Sequence, residues 1–199
     1  MDLRLLTENI LIFRFKNTPV YFSGATIAFL VFIFGWGMFI EDKYFYFIMS
    51  FITLSFLHES GHFYFIRRAE AKAHKISIHL FGGSVEYEHV DDPWESFLIS
   101  SGGIMVQLLL IPIAYCFYYL YGPFENQAVQ SVYFVFTIHN SIFVCINLLP
   151  IQGLDGYNIW RYLQQSLKTF NASRNFQSPR LNKAKTRKVL SFEKIKKEL

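Results

Sequence analysis

The sequence predicts an all-α polytopic membrane protein: about four transmembrane helices, with a membrane-associated β-hairpin between the second and the third. Three observations predict it. The chain of 199 residues is 52% hydrophobic and carries 23 Phe and 12 Tyr, richer than the roughly 45–50% apolar content of ordinary globular chains. Four of its apolar stretches are close to the about 20 residues needed to cross a hydrocarbon core about 30 Å thick. Basic residues gather on alternate connections between those stretches, as they do when one side of a membrane retains them.

Taken in order, Asn9 to Phe22 alternates loosely through Ile10, Ile12, Phe13 and Phe15 and meets Pro19. It reads as a short strand or interfacial segment leading to the first span. Asp2, Arg4, Glu8, Arg14 and Lys16 make this region too polar for a cleavable signal peptide. The expected spans are Val20–Ile40, Tyr44–Ile66, Phe97–Tyr121 and Val129–Leu149. Between the second and third, Ile76, Ile78 and Leu80 alternate with Lys75, Ser77 and His79. Phe81-Gly82-Gly83-Ser84 then supplies turn chemistry, and Val85 and Tyr87 alternate with Glu86 and Glu88. That period of two predicts a hairpin over residues 75–88.

Orientation follows from charge. Arg4, Arg14 and Lys16 precede the first span, Arg67, Arg68, Lys72 and Lys75 follow the second, and the end of the chain is basic, whereas Glu41–Lys43 and Gly122–Gln127 are acidic or neutral. Both termini are therefore expected in the cytosol of a multi-pass cell-membrane protein. Residues 1–170 are expected to form one membrane domain and 171–199 a basic cytosolic tail. The tail's lysines and arginines, Lys183 to Lys197, are solvated or meet anionic lipid, at about 1 kcal/mol per basic residue near the surface. The net charge of +4 is not accompanied by a nucleic-acid-binding signature, so no nucleic-acid partner is expected. The two cysteines, Cys116 and Cys145, lie in separate apolar stretches and form neither a metal pair nor a disulfide framework.

The chemistry concentrates in His58-Glu59-Ser60-Gly61-His62, inside the second span. On a helix, His58 and His62 share a face, and Glu59 points about 100° away from His58 around the axis. This H-E-x-x-H spacing offers two neutral nitrogens to zinc and a carboxylate outside the ligand shell to take a proton from water. A chance pentapeptide is the bland alternative. It weakens in a span, where each charge near the bilayer centre costs about 2.5–3.5 kcal/mol on insertion scales. His58 would lie roughly 12 Å below the basic boundary at Arg67. A catalytic zinc needs a third protein ligand. Asp155 is the candidate, beyond Pro150 and Gly153, which interrupt the fourth span; alone it would read as a helix N-cap for the amphipathic stretch from Tyr157 to Leu167. His139 and Asn140, in mid-span, read as interhelical hydrogen-bonding residues, and Gly102 and Gly103 as points of close helix approach.

Taken together, His58–His62, Phe81-Gly82-Gly83, Ser100-Ser101-Gly102-Gly103, and Asn147-Leu148-Leu149-Pro150 followed by Leu154-Asp155-Gly156 resemble the site-2 protease family in order and spacing. These are intramembrane zinc metalloproteases, peptidase M50-like, and the likeness covers about Arg14 to Arg161 in a minimal form without a PDZ or CBS domain. The resemblance implies one Zn2+ held by His58, His62 and Asp155, with Glu59 as general base and Asn147 near the substrate or its oxyanion. The chain departs from the family pattern at Ile104, Gln107, Gln152, Gly153 and Tyr157, none of them a ligand or the base.

The expected activity is zinc-dependent endopeptidase cleavage in or beside a transmembrane segment of a membrane-protein substrate, as in regulated intramembrane proteolysis. Such a substrate must unwind locally. Its extended strand could then pair with the hairpin around Ile78, Gly82, Gly83 and Val85. The alternatives are a non-catalytic membrane binding protein that keeps the fold, which would not need Glu59, and a metal transporter, which would need ligands spread along a path. The expected partners are that substrate and the lipid bilayer.

Overall fold

The computed structural model describes residues 9–37, 42–79 and 82–172. The first eight residues and most of the basic tail, from residue 173 onward, lie outside the described residues. The elements run β1 (Asn9–Phe15), β2 (Thr18–Ser23), α1 (Gly24–Gly37), α2 (Asp42–Arg68), β3 (Ala73–His79), β4 (Gly82–Tyr87), α3 (Pro93–Tyr121) and α4 (Gln127–Asn147), with α5 over residues 155–172.

The protein is mostly helical with a small mixed sheet, which corrects the all-α expectation. The sheet has the order β1-β2-β3-β4. β1/β2 and β3/β4 are antiparallel, and β2/β3 is parallel through Val20↔Ile76, Tyr21↔Ser77 and Phe22↔Ile78. The expected hairpin is therefore half of a larger sheet. The expected start of the first span at Val20 is also corrected, because Val20 to Ser23 finish β2 and the helix begins at Gly24. A short apolar run does not by itself distinguish a buried strand from a helix. Here, pairing with β3 decides the matter. Gly82 and Gly83, expected in the turn, are already paired in β4, opposite His79 and Ile78.

The other helices lie close to their expected spans. α3 starts at Pro93, four residues before Phe97, because Asp92 caps it: its carboxylate accepts from the Trp94 amide at 3.1 Å. Asn126 does the same for α4, accepting from Ala128 at 2.8 Å. Two of the described helices, α3 and α4, are long and apolar enough to cross a membrane. α2 contains the polar motif, and the hydroxyls of Ser50, Ser55 and Ser60 along it donate to carbonyls one turn back at 2.7–3.0 Å.

The core between sheet and helices holds Val20, Phe63, Ile66, Ile76, Ile78 and Ile99. It seats the sheet on the C-terminal half of α2. α2 and α3 cross at Gly61 and Gly102, where a Cβ on either would overlap the other's main chain. Asn140 on α4 donates to the Gln107 carbonyl of α3 at 3.0 Å, next to a π-helical turn at Val135–His139. His139 differs from expectation: its ring packs against Phe51 at 5.2 Å and Phe143 at 6.2 Å.

Candidate metal centre

The α2–α3 crossing exposes the functional face of α2 to one cavity. His58 and His62, one turn apart, point the same way, and their Nε2 atoms are 3.1 Å apart. The third group arrives from the far end of the chain. α4 stops at Asn147, Gly153 takes a left-handed φ of +98°, and α5 begins at Asp155. Gly156 lets that turn close, since a Cβ there would overlap the Leu148 and Leu149 carbonyls. The Trp160 indole N–H holds the Leu148 carbonyl at 2.9 Å. As a result, Asp155 Oδ2 sits 3.0 Å from His58 Nε2 and 3.3 Å from His62 Nε2.

These three ligand atoms lie within 4.8 Å of one another. His62 Nδ1 lies 2.7 Å from the Ile99 carbonyl of α3. A carbonyl only accepts, so Nδ1 carries the proton and the lone pair of the neutral ring is on Nε2, facing His58 and Asp155. Lone-pair-bearing atoms aimed at one another repel unless a proton or a metal cation lies between them. Two imidazole nitrogens and one carboxylate oxygen are a donor set that catalytic zinc takes. Gly103 lets both rings take these positions: a Cβ there would overlap His58 Nε2 and His62 Nε2. The residues present therefore fit zinc.

Glu59 is buried at 3% exposure, beside the ligands but outside their cluster. Its carboxylate lies against the main chain of Gly83 on β4. The cavity, about 330 Å³, is lined by His58, Glu59 and His62 of α2, by Gly82, Gly83 and Val85 of β4, and by Asn147 and Asp155, among others. Ile78 is not among the lining residues. It is 1% exposed, on an interior strand with β2 on one side and β4 on the other, and among the described residues the open edge nearest the site is β4. Two contributors escaped the reading of sequence. Gly103 touches the ligand rings rather than merely easing helix approach, and Asn158, one turn past Asp155, also lines the cavity. The signal for Asn158 was its spacing of three from Asp155 on a helix.

The helical scaffold with its small sheet thus carries a two-histidine, one-aspartate cluster that could hold a metal ion, with a buried glutamate beside it. The profile of peptidase family M50 matches residues 46–124. Among solved structures, the fold is similar to that of the site-2 protease from Methanocaldococcus jannaschii, with a TM-score of 0.64 and 20% identity over 79% of this chain and 72% of that one. Comparison with curated proteins finds no match. The profile match is to peptidase family M50 over part of the chain, and the structural likeness, at 20% identity, is a likeness of fold.

Proposed function

We propose that this protein is a zinc-dependent intramembrane endopeptidase that cleaves a peptide bond in or next to a transmembrane segment of a membrane-protein substrate. The observation that carries this reading is the convergence of His58, His62 and Asp155 with Glu59 beside them in one cavity. When bound, zinc supplies Lewis acidity, polarising the scissile carbonyl and bringing the pKa of a water down to about 7.

The chain's own residues do the rest. His58, His62 and Asp155 hold the ion, and the Ile99 carbonyl keeps His62 in the ligating tautomer. Glu59 accepts the proton of the attacking water and delivers it to the leaving nitrogen. Its contact with the Gly83 main chain fixes where that carboxylate sits in the cavity. Asn147, buried at the cavity's edge, donates its Nδ2–H to the carbonyl oxygen as negative charge develops. An unwound stretch of substrate pairs with the open edge of β4, which satisfies backbone groups that would otherwise be stranded in an apolar setting.

The same reading makes the protein a multi-pass cell-membrane protein of four spans with both termini in the cytosol, supported by the basic residues before the first span and after α2 and by the apolar α3 and α4. The deciding experiment is cleavage of membrane-spanning reporters by the purified protein, with and without a zinc chelator. Cleavage that disappears on chelation and returns with zinc is expected. Unchanged reporters under zinc-replete conditions would overturn the reading.

A further inference from the structure

We infer that Asn158 is a substrate-binding residue, holding the outer backbone edge of the peptide paired to β4; this rests on the protease reading above. An extended peptide added to β4 satisfies only every other backbone unit through that strand. The remaining N–H and C=O groups point away from β4, into the cleft. Left unpartnered once the peptide covers them they would weaken binding, since a buried polar group without a hydrogen bond is costly.

Few side chains lining the cavity are available to meet them. Ser55 and Ser100 have committed their hydroxyl protons to Phe51 and Ser96 carbonyls, at 3.0 and 2.9 Å. Asp155 and the histidines form the metal cluster, Glu59 is the base, and Ser84 belongs to β4 itself. Tyr87, which carries a hydroxyl, belongs to β4 as Ser84 does; Val85, Ile99, Phe143 and Leu154 offer apolar surface, and Gly82, Gly83 and Gly153 have no side chain. Two carboxamides remain, Asn147 and Asn158.

Asn147, at the end of α4, is the group nearest in role to the reacting carbonyl. Asn158 stands on α5, three residues after Asp155 and so on the same helix face. It is exposed in the cavity, and no described residue forms a hydrogen bond with its side chain. A carboxamide presents a donor and an acceptor together, which matches the paired N–H and C=O along one edge of an extended peptide. Aspartate would offer acceptors only, and lysine donors only. Because α5 also carries Asp155, a peptide held by Asn158 is registered against the metal ligand itself rather than against a separate wall.

The test is steady-state cleavage of a reporter by the parent, Asn158→Ala, Asn158→Gln and Asn158→Leu, with zinc content and thermal unfolding measured on each. Asn158→Ala and Asn158→Leu should raise KM about 3- to 10-fold, the weight of one or two neutral hydrogen bonds, with kcat, zinc content and melting temperature near the parent's. Asn158→Gln should recover part of the loss. A series of reporters with single backbone esters then locates the contact. One ester position that slows the parent should have no further effect on Asn158→Ala. Parent-like KM in both Asn158→Ala and Asn158→Leu would overturn the inference while leaving the protease reading intact. So would a loss of zinc or of kcat alone, which would mark Asn158 as a support for Asp155. Failure of the parent to cleave would instead remove both.

Discussion

The main chain of Gly83 on β4 lies against the carboxylate of Glu59 on α2, so closely that a Cβ at Gly83 would overlap Glu59 Cγ, Cδ and Oε1. The strand expected to receive substrate thus also holds the group expected to act as base. Gly83→Ala should push the carboxylate out of line and lower cleavage on the order of 10- to 100-fold, the scale of a 1 Å misplacement. Zinc content should stay at the parent's level, because Gly83 does not reach the ligand atoms. Rate and metal analysis on the same preparation check this together.

Base and ligands separate cleanly in the next set. Glu59→Gln should abolish cleavage and keep zinc near one equivalent, since Glu59 stands outside the cluster of His58, His62 and Asp155. His58→Ala and Asp155→Ala should lose both. Full zinc in Asp155→Ala would remove Asp155 from the shell.

The crossing of α2 and α3 predicts an inverted effect of alanine. In an ordinary helix interior Gly→Ala stabilises by roughly 0.5–1 kcal/mol. At Gly61 and Gly102 the added methyl meets backbone, which cannot rotate away. Gly102→Ala should therefore destabilise, by about 1–3 kcal/mol as other overpacked sites do, read as a lower melting temperature. A neutral or raised melting temperature would show that the helices can part without cost.

Position in the sheet sets apart two proline variants. β4 is an open edge, so Val85→Pro removes a donor from the strand expected to pair with substrate and should weaken cleavage at unchanged zinc. Val85→Thr, which keeps both backbone groups, should do much less. Ile78→Pro strikes an interior strand that is paired on both sides, and is expected to unfold the sheet, seen as sensitivity to mild proteolysis. A well-folded Val85→Pro that cleaves at the parental rate would reduce β4 to a cover over the site.

Topology is tested by single cysteines in a cysteine-free background. Cysteines at Asn17 and Ser173 should react only with reagents that reach the cytosol, and one at Glu125 only from the opposite side. Labelling of Asn17 and Glu125 from the same side would sink the four-span arrangement.

Local chemistry was legible in the residues alone. His58 and His62 share a face by the period of the helix, whatever packs around them, and Pro150 and Gly153 interrupt the fourth span through their own backbone preferences. These are properties of short stretches, so short stretches reveal them. Asp155 could be suspected from sequence, but its place beside His58 depends on how α4 ends and α5 turns back. That is a relation between segments almost a hundred residues apart. The same holds for Val20 to Ser23, apolar enough to read as the start of a span, yet a strand because Ile76 and Ile78 lie alongside to pair with it. Gly83 and Gly103 carry the point furthest. A glycine shows in sequence only that a side chain is missing, and the tertiary structure alone shows what occupies the space: the carboxylate of Glu59 in one case, the imidazoles of His58 and His62 in the other.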